Sequence, residues 1–167
     1  TCGWENVETL GEISGAELEL SYAPVPALLL DANIGYLDSS YGEFDDDRFV
    51  SFGGSRAFQE PAFSPEWTAR YGAAYTFDLA TSGTLRVAGS ARFRSRMALA
   101  VDNTIVDSDV EIDGLFQDDY WLYDASLLWT HRNERFSLGV YGRNLSDEVT
   151  DEQVTDEVTD EVTDEAR

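Results

Sequence analysis

The sequence contains no lysine, one cysteine (Cys2), one histidine (His131), one methionine and four prolines. Its positive charge is therefore all arginine: 11 cationic residues stand against 33 acids, for a formal net charge of −22. Nucleic-acid binding needs a cationic surface that displaces counterions, and this charge excludes it. Docking on anionic lipid through a basic patch is disfavoured for the same reason. A lone cysteine cannot form an internal disulfide, and with one histidine there is no Cys/His set for zinc. Catalysis is equally poorly served. His131 sits in a turn signal beside Arg132, where any Ser/His/Asp or Cys/His arrangement would have to form, and no glycine-rich phosphate loop follows a strand. The sequence predicts no enzyme, no metal and no cofactor.

No apolar run approaches the 18 residues needed for a membrane-spanning helix, which leaves spanning by strands open. The opening Thr-Cys-Gly-Trp-Glu lacks the basic-then-apolar pattern of a secretory leader, so the expectation is a cytosolic, processed or internal segment.

Alternation is what the sequence does have. Leu28, Leu30, Ala32, Ile34 and Tyr36 fall on one face of a strand, and Leu29, Asp31, Asn33, Gly35 and Leu37 on the other. Six such strands are predicted, at about 13–22, 27–41, 65–79, 84–96, 119–130 and 135–144. Tight turns are expected at Ala23-Pro24-Val25-Pro26, Ala80-Thr81-Ser82-Gly83 and His131-Arg132-Asn133-Glu134, where proline, glycine and asparagine favour reversal. Long irregular stretches, 42–64 and 97–118, separate the hairpins. Connections thus run short, long, short, long, short. An antiparallel sheet then gathers the short turns at one edge and the long loops at the other, as membrane barrels do. Trp67, Tyr71, Tyr75 and Phe77 share a face free of charge, and Trp121 and Trp129 stand near opposite ends of one strand. Such rings suit the water–lipid boundary. The same alternation also fits a soluble β-sandwich or lipocalin-like binding module with its aromatic faces packed inward.

The wet faces carry Glu17, Glu19, Asp31, Arg70, Asp78, Arg86, Arg92, Arg94 and Asp124. Of these Arg70, Arg86, Arg92, Arg94, Asp31, Glu17 and Glu19 are the candidate ligand-binding or lumen-facing residues, with solvation and weak cross-strand ion pairs as the plainer account. Asp107, Asp109, Glu111 and Asp113 alternate in the second long stretch. They fail the calcium-loop template because Tyr120 falls where the bidentate acid belongs. Asp45-Asp46-Asp47, beside Tyr41, Phe44, Phe49 and Phe52, suits an external ligand mouth. Residues 149–165 repeat Val-Thr-Asp-Glu. This places acids at i, i+4, disfavours a helix, and predicts a solvated, disordered tail over 147–167 appended to a barrel portion over 1–146.

Several segments resemble the late barrel strands of TonB-dependent outer-membrane receptors. They are Ile13-Ser14-Gly15-Ala16-Glu17-Leu18-Glu19-Leu20, the run Leu30 to Asp38, Ser64-Pro65-Glu66-Trp67, Gly72-Ala73-Ala74-Tyr75-Thr76-Phe77, and Gly142-Arg143-Asn144-Leu145-Ser146-Asp147-Glu148. The last is similar to the Asn-Leu-x-Asp-Glu segment near the family's C-terminus and is the most specific. This resemblance implies an all-β, antiparallel, partial outer-membrane barrel of about six strands. It also implies a role in energised uptake of a scarce nutrient such as an iron–siderophore complex, in the outer membrane of a Gram-negative cell. The implied partners are outer-membrane lipid, an N-terminal plug domain, the TonB energising complex and a siderophore-like ligand. Compared with the family, the sequence reads as the C-terminal part of a receptor, without plug, and with its last strand lost or overwritten.

Overall fold

A computed structural model describes residues 11–42, 58–105 and 108–149. The acidic repeat, Asp107, Asp45-Asp46-Asp47, Phe44, Phe49, Phe52 and Cys2 lie outside the described residues. Six strands form one antiparallel sheet in chain order: β1 (Gly11–Val25), β2 (Leu28–Tyr41), β3 (Trp67–Asp78), β4 (Thr84–Arg94), β7 (Tyr120–Thr130) and β8 (Ser137–Gly142). Two further strands, β5 (Met97–Ala98) and β6 (Phe116–Gln117), pair only with each other. Among the described residues the sole helical element is a single 3₁₀ turn, Ala80–Ser82.

Face assignment follows from register. β4 and β7 pair along their full length, Leu85 opposite Trp129, Val87 opposite Leu127, Ala91 opposite Tyr123 and Phe93 opposite Trp121. Directly paired residues project to the same side of a sheet. The intervening pairs are Arg86 with Leu128, Ala88 with Ser126, Ser90 with Asp124 and Arg92 with Leu122. β8 extends the pattern, with Val140 opposite Leu127 and Leu138 opposite Trp129. One face is thus continuously apolar, and the other carries the charges, with Leu122 and Leu128 among them.

Among the described residues nothing covers the apolar face. Among the described residues the buried apolar side chains are Met97, Ala98 and Tyr120, while Leu20 stays 59% exposed, Val140 64% and Leu138 67%. A water-soluble domain of this length would bury most of its large apolar residues in a core. The inward-packed aromatic face of a sandwich is therefore not what the sheet presents.

The chain divides into two compact units. One comprises Leu18–Ile34, Ala69–Arg94 and Tyr120–Arg167, and all three short turns belong to it. Leu79 N donates to Gly83 O at 2.8 Å, and the Asp78 carboxylate accepts from Ala80 N at 2.8 Å, closing the β3–β4 turn. Gly83 holds φ +103°, a conformation side chains resist, and a Cβ there would overlap Thr130 O. The β7–β8 turn closes through His131 N to Phe136 O at 2.9 Å, with Asn133 Oδ1 accepting from Arg135 N at 3.1 Å. Arg132 Nη1 donates to Ala80 O (2.9 Å) and Trp129 Nε1 to Ser82 O (3.0 Å), tying the two turns together.

The first turn falls two residues later than predicted, centred on Pro26-Ala27, so Pro24 lies within β1. β1 is an edge strand of the described sheet, and an edge tolerates a residue that donates no ladder bond. β8 stops at Gly142 because Asn144 turns the chain away at φ +48°.

The other unit comprises Thr1–Glu17, Gly35–Thr68 and Ser95–Asp119. Its second long stretch, predicted irregular, is folded. The β5–β6 pair continues through Leu99 N to Leu115 O at 2.9 Å and a bridge between Thr104 and Glu111. Asn103 is wholly buried. Its amide nitrogen donates to Glu60 O (2.7 Å) and Ala100 O (2.9 Å), and its oxygen accepts from Glu60 N (3.1 Å). Arg96 reinforces the same junction, pairing with Glu111 at 2.6 Å and Glu60 at 3.5 Å while its guanidinium lies 3.9 Å from the Phe116 ring centre.

Candidate functional site

Within the unit that holds the turns, the polar sheet face is concave. An open cleft of about 330 Å³ lies on it, lined by Asp31 of β2, Arg70 of β3, Arg86 of β4, Asp124 and Ser126 of β7, and Tyr141 and Arg143 at the end of β8. Its floor is built from small residues (Gly72, Ala74, Ala88 and Ser90) whose short side chains leave the space open. The convex side carries the rings: Trp121 lies 5.0 Å from Phe93, 6.1 Å from Tyr123 and 6.4 Å from Tyr71, centre to centre.

Charge in the cleft is arranged as two compensated arginines and two others. Arg70 Nη1 donates to Asp31 Oδ2. Glycine at 72 makes this contact possible, since a Cβ there would collide with the Asp31 carboxylate. Arg92 Nη2 donates to Asp124 Oδ2 at 3.0 Å from beside the cleft. Both pairs are substantially exposed, so each contributes about 0–1 kcal/mol. Arg86 has no ion-pair partner among the described residues, and Arg143 meets only the Tyr141 ring, at 5.8 Å. In an acidic chain this patch is locally positive.

Asp124 also anchors the chain beyond β8. Its Oδ1 accepts from Asn144 N at 3.0 Å. Asn144 in turn closes a turn on Glu148, donating Nδ2 to Glu148 O (2.8 Å) and accepting from Glu148 N (3.1 Å). Leu145 N donates to Tyr123 O at 2.8 Å, and Ser146 Oγ to Trp121 O at 3.2 Å. Side chains and a turn thus stand on the stretch of β7 that β8 does not pair.

Of the seven residues predicted from sequence, the cleft brings together Arg70, Arg86 and Asp31, with Arg92 attached through Asp124. The other three lie elsewhere. Arg94 sits 5.9 Å over the Tyr120 ring, and Glu19 accepts from Asn33 at 3.1 Å. Glu17 lines a separate depression in the other unit, with Gly35, Tyr36 and Thr68. Arg143 and Tyr141 were not among the predicted residues. Their signal was the parity of β8, which sets Tyr141 on the face of Ser126 and which Arg143 continues one residue past the strand's end.

The family profile for the TonB-dependent receptor-like β-barrel matches residues 3–145. The chain belongs to that family. Its members are receptors, not enzymes. This receptor-barrel chain is similar in fold to the ferric yersiniabactin uptake receptor FyuA from Yersinia pestis, with a TM-score of 0.62 at 22% identity. The match covers 83% of this chain and 19% of that one. No curated protein matches the chain.

Proposed function

We propose that these strands form part of the wall of an outer-membrane receptor that takes up a scarce nutrient with energy delivered by the TonB complex. A ferric complex is the favoured cargo, since the structurally similar receptor takes up a ferric complex. The observation that carries this reading is the unburied apolar face set against a concave charged one, which suits hydrocarbon outside and water inside. In this reading residues 1–146 belong to the barrel and 147–167 are appended to it. Lipid meets the Trp121 and Leu138 side, in the outer membrane of a Gram-negative cell. Arg70, Arg86, Arg92, Arg94, Asp31, Glu17 and Glu19 face the lumen, where a plug domain and a siderophore-like ligand are the partners.

Reconstitution in vesicles of brominated phosphatidylcholine tests the orientation. Tryptophan emission should be quenched by the brominated chains, and emission indifferent to bromine would overturn the membrane assignment. Cargo is tested on the receptor that contains these strands, by accumulation of radioactive iron from ferric yersiniabactin with and without the TonB complex. Equal accumulation in both would remove energised uptake.

A further inference from the structure

Asp31 and Asp124 of the cleft wall are each answered by an arginine, whereas Arg86, Arg143, Ser126 and Tyr141 around them have no acceptor among the described residues. We propose that the cleft binds the phosphate group of a small soluble anion, held by the side chains of these four residues. This goes beyond the receptor reading and does not rest on it, because binding is read on the chain itself without uptake.

Three observations converge. The first is a surplus of donors. Among the described residues no carboxylate meets the Arg86 guanidinium, and Arg143 has only the Tyr141 ring, at 5.8 Å. The Ser126 and Tyr141 hydroxyls are likewise without a hydrogen-bond partner there. Asp31 and Asp124 are spent on Arg70 and Arg92, so Arg86 and Arg143 leave the wall locally positive in a chain of net charge −22. Such a wall suits a molecule that accepts hydrogen bonds and carries negative charge.

The second is convergence. Ser126 pairs with Ala88 on one side and with Tyr141 on the other, which makes one row across three strands. Arg86 lies two residues below that row along β4, and Arg143 two residues above it along the line of β8. Two residues are about 7 Å of strand, within the reach of an arginine side chain. Arg143 already leans back toward the row, over Tyr141, and Ala88, Ser90 and Gly72 leave the space above it clear. The third is the match of donors to acceptors. Two guanidinium forks and two hydroxyls present about six donor hydrogens. A carboxylate has about four lone-pair sites, which the forks alone fill, whereas a phosphate has three strong acceptor oxygens to serve all of them. The cleft opens on the face opposite the exposed rings, so a phosphate in water reaches it and the headgroup of a lipid seated on the apolar face does not.

Arginine side-chain NMR on the full chain, isotope-labelled at arginine and held in maltoside micelles, provides the test. Sodium phosphate is titrated at constant ionic strength, balanced with sodium chloride, and the Nε–H signals are followed. Those of Arg86 and Arg143, assigned by their loss in R86Q and R143Q, should move together with one midpoint on the order of a millimolar. R86Q should raise the midpoint seen at Arg143 about tenfold, and R143Q the midpoint seen at Arg86, so either variant serves if the other fails to fold. Acetate leaves the hydroxyls unmatched and should need about fivefold more. Arg135, in the β7–β8 turn outside the cleft, should not respond. A shift of Arg135 at the same midpoint, separate midpoints for Arg86 and Arg143, or acetate as effective as phosphate would each overturn the proposal. So would a response to dihexanoyl phosphatidic acid with none to inorganic phosphate.

Discussion

Ala125 and Ser126 are neighbours in the chain and lie on opposite faces, so one charge placed at each in turn weighs the two surroundings. Ala125 pairs with Gly89 on one side and Gly142 on the other, which leaves room for a long side chain. It is four residues from both Trp121 and Trp129. At about 3.4 Å per residue that is roughly 14 Å along the strand to each ring. A strand tilt near 40° makes it roughly 10 Å of depth, so Ala125 falls near the middle of an apolar band ~25 Å tall. Ala125→Arg should therefore cost about 2–4 kcal/mol, the range for arginine at a bilayer midplane. Ser126→Arg points into the cleft toward Arg86. Repulsion between two solvated charges at ~4 Å is about 1 kcal/mol, which bounds its cost. Urea titrations in lipid nanodiscs, followed by tryptophan emission, measure both. Equal costs, or a larger cost at Ser126, would refute the assignment of faces.

Asn103→Ala removes three hydrogen bonds from a fully buried site. It should weaken the local fold by about 2–4 kcal/mol, seen as much faster hydrogen exchange at the Glu60 amide, with β7 amides unchanged. Gly83→Ala sets a Cβ against Thr130 O at positive φ and should cost about 1–3 kcal/mol, read from the unfolding midpoint. Gly72→Ala should displace Asp31 and release Arg70. A double-mutant cycle with Arg70→Gln would then show a coupling of ~0.2–1 kcal/mol in the parent that vanishes in the Gly72→Ala background.

The sheet was legible because its two faces meet different surroundings. β2, β3 and β7 each keep two-residue alternation over more than ten residues, which is long enough to set both strand and side. The same parity placed Arg70, Arg86 and Asp31 on one face. Strand ends were less legible, since Pro24 forbids a central strand but not an edge one, and which strand lies at the edge is a property of the whole sheet. The β5–β6 pair was invisible because two-residue strands have no period, and its order comes from Asn103 and Arg96, whose partners are distant in sequence. The cleft itself depends on Gly72 yielding space to a carboxylate 41 positions away, a relation that local pattern does not contain.

β1 runs for fifteen residues along the rim of the described sheet, and only Pro24 withholds a backbone donor there. Antiparallel bonding engages alternate residues on each side, so about seven amide and carbonyl sets of β1 face away from β2, and among the described strands none takes them up. Removed from hydrocarbon, these molecules should zip together along that rim, and the deposit they form should be fibrous and rich in extended backbone rather than amorphous.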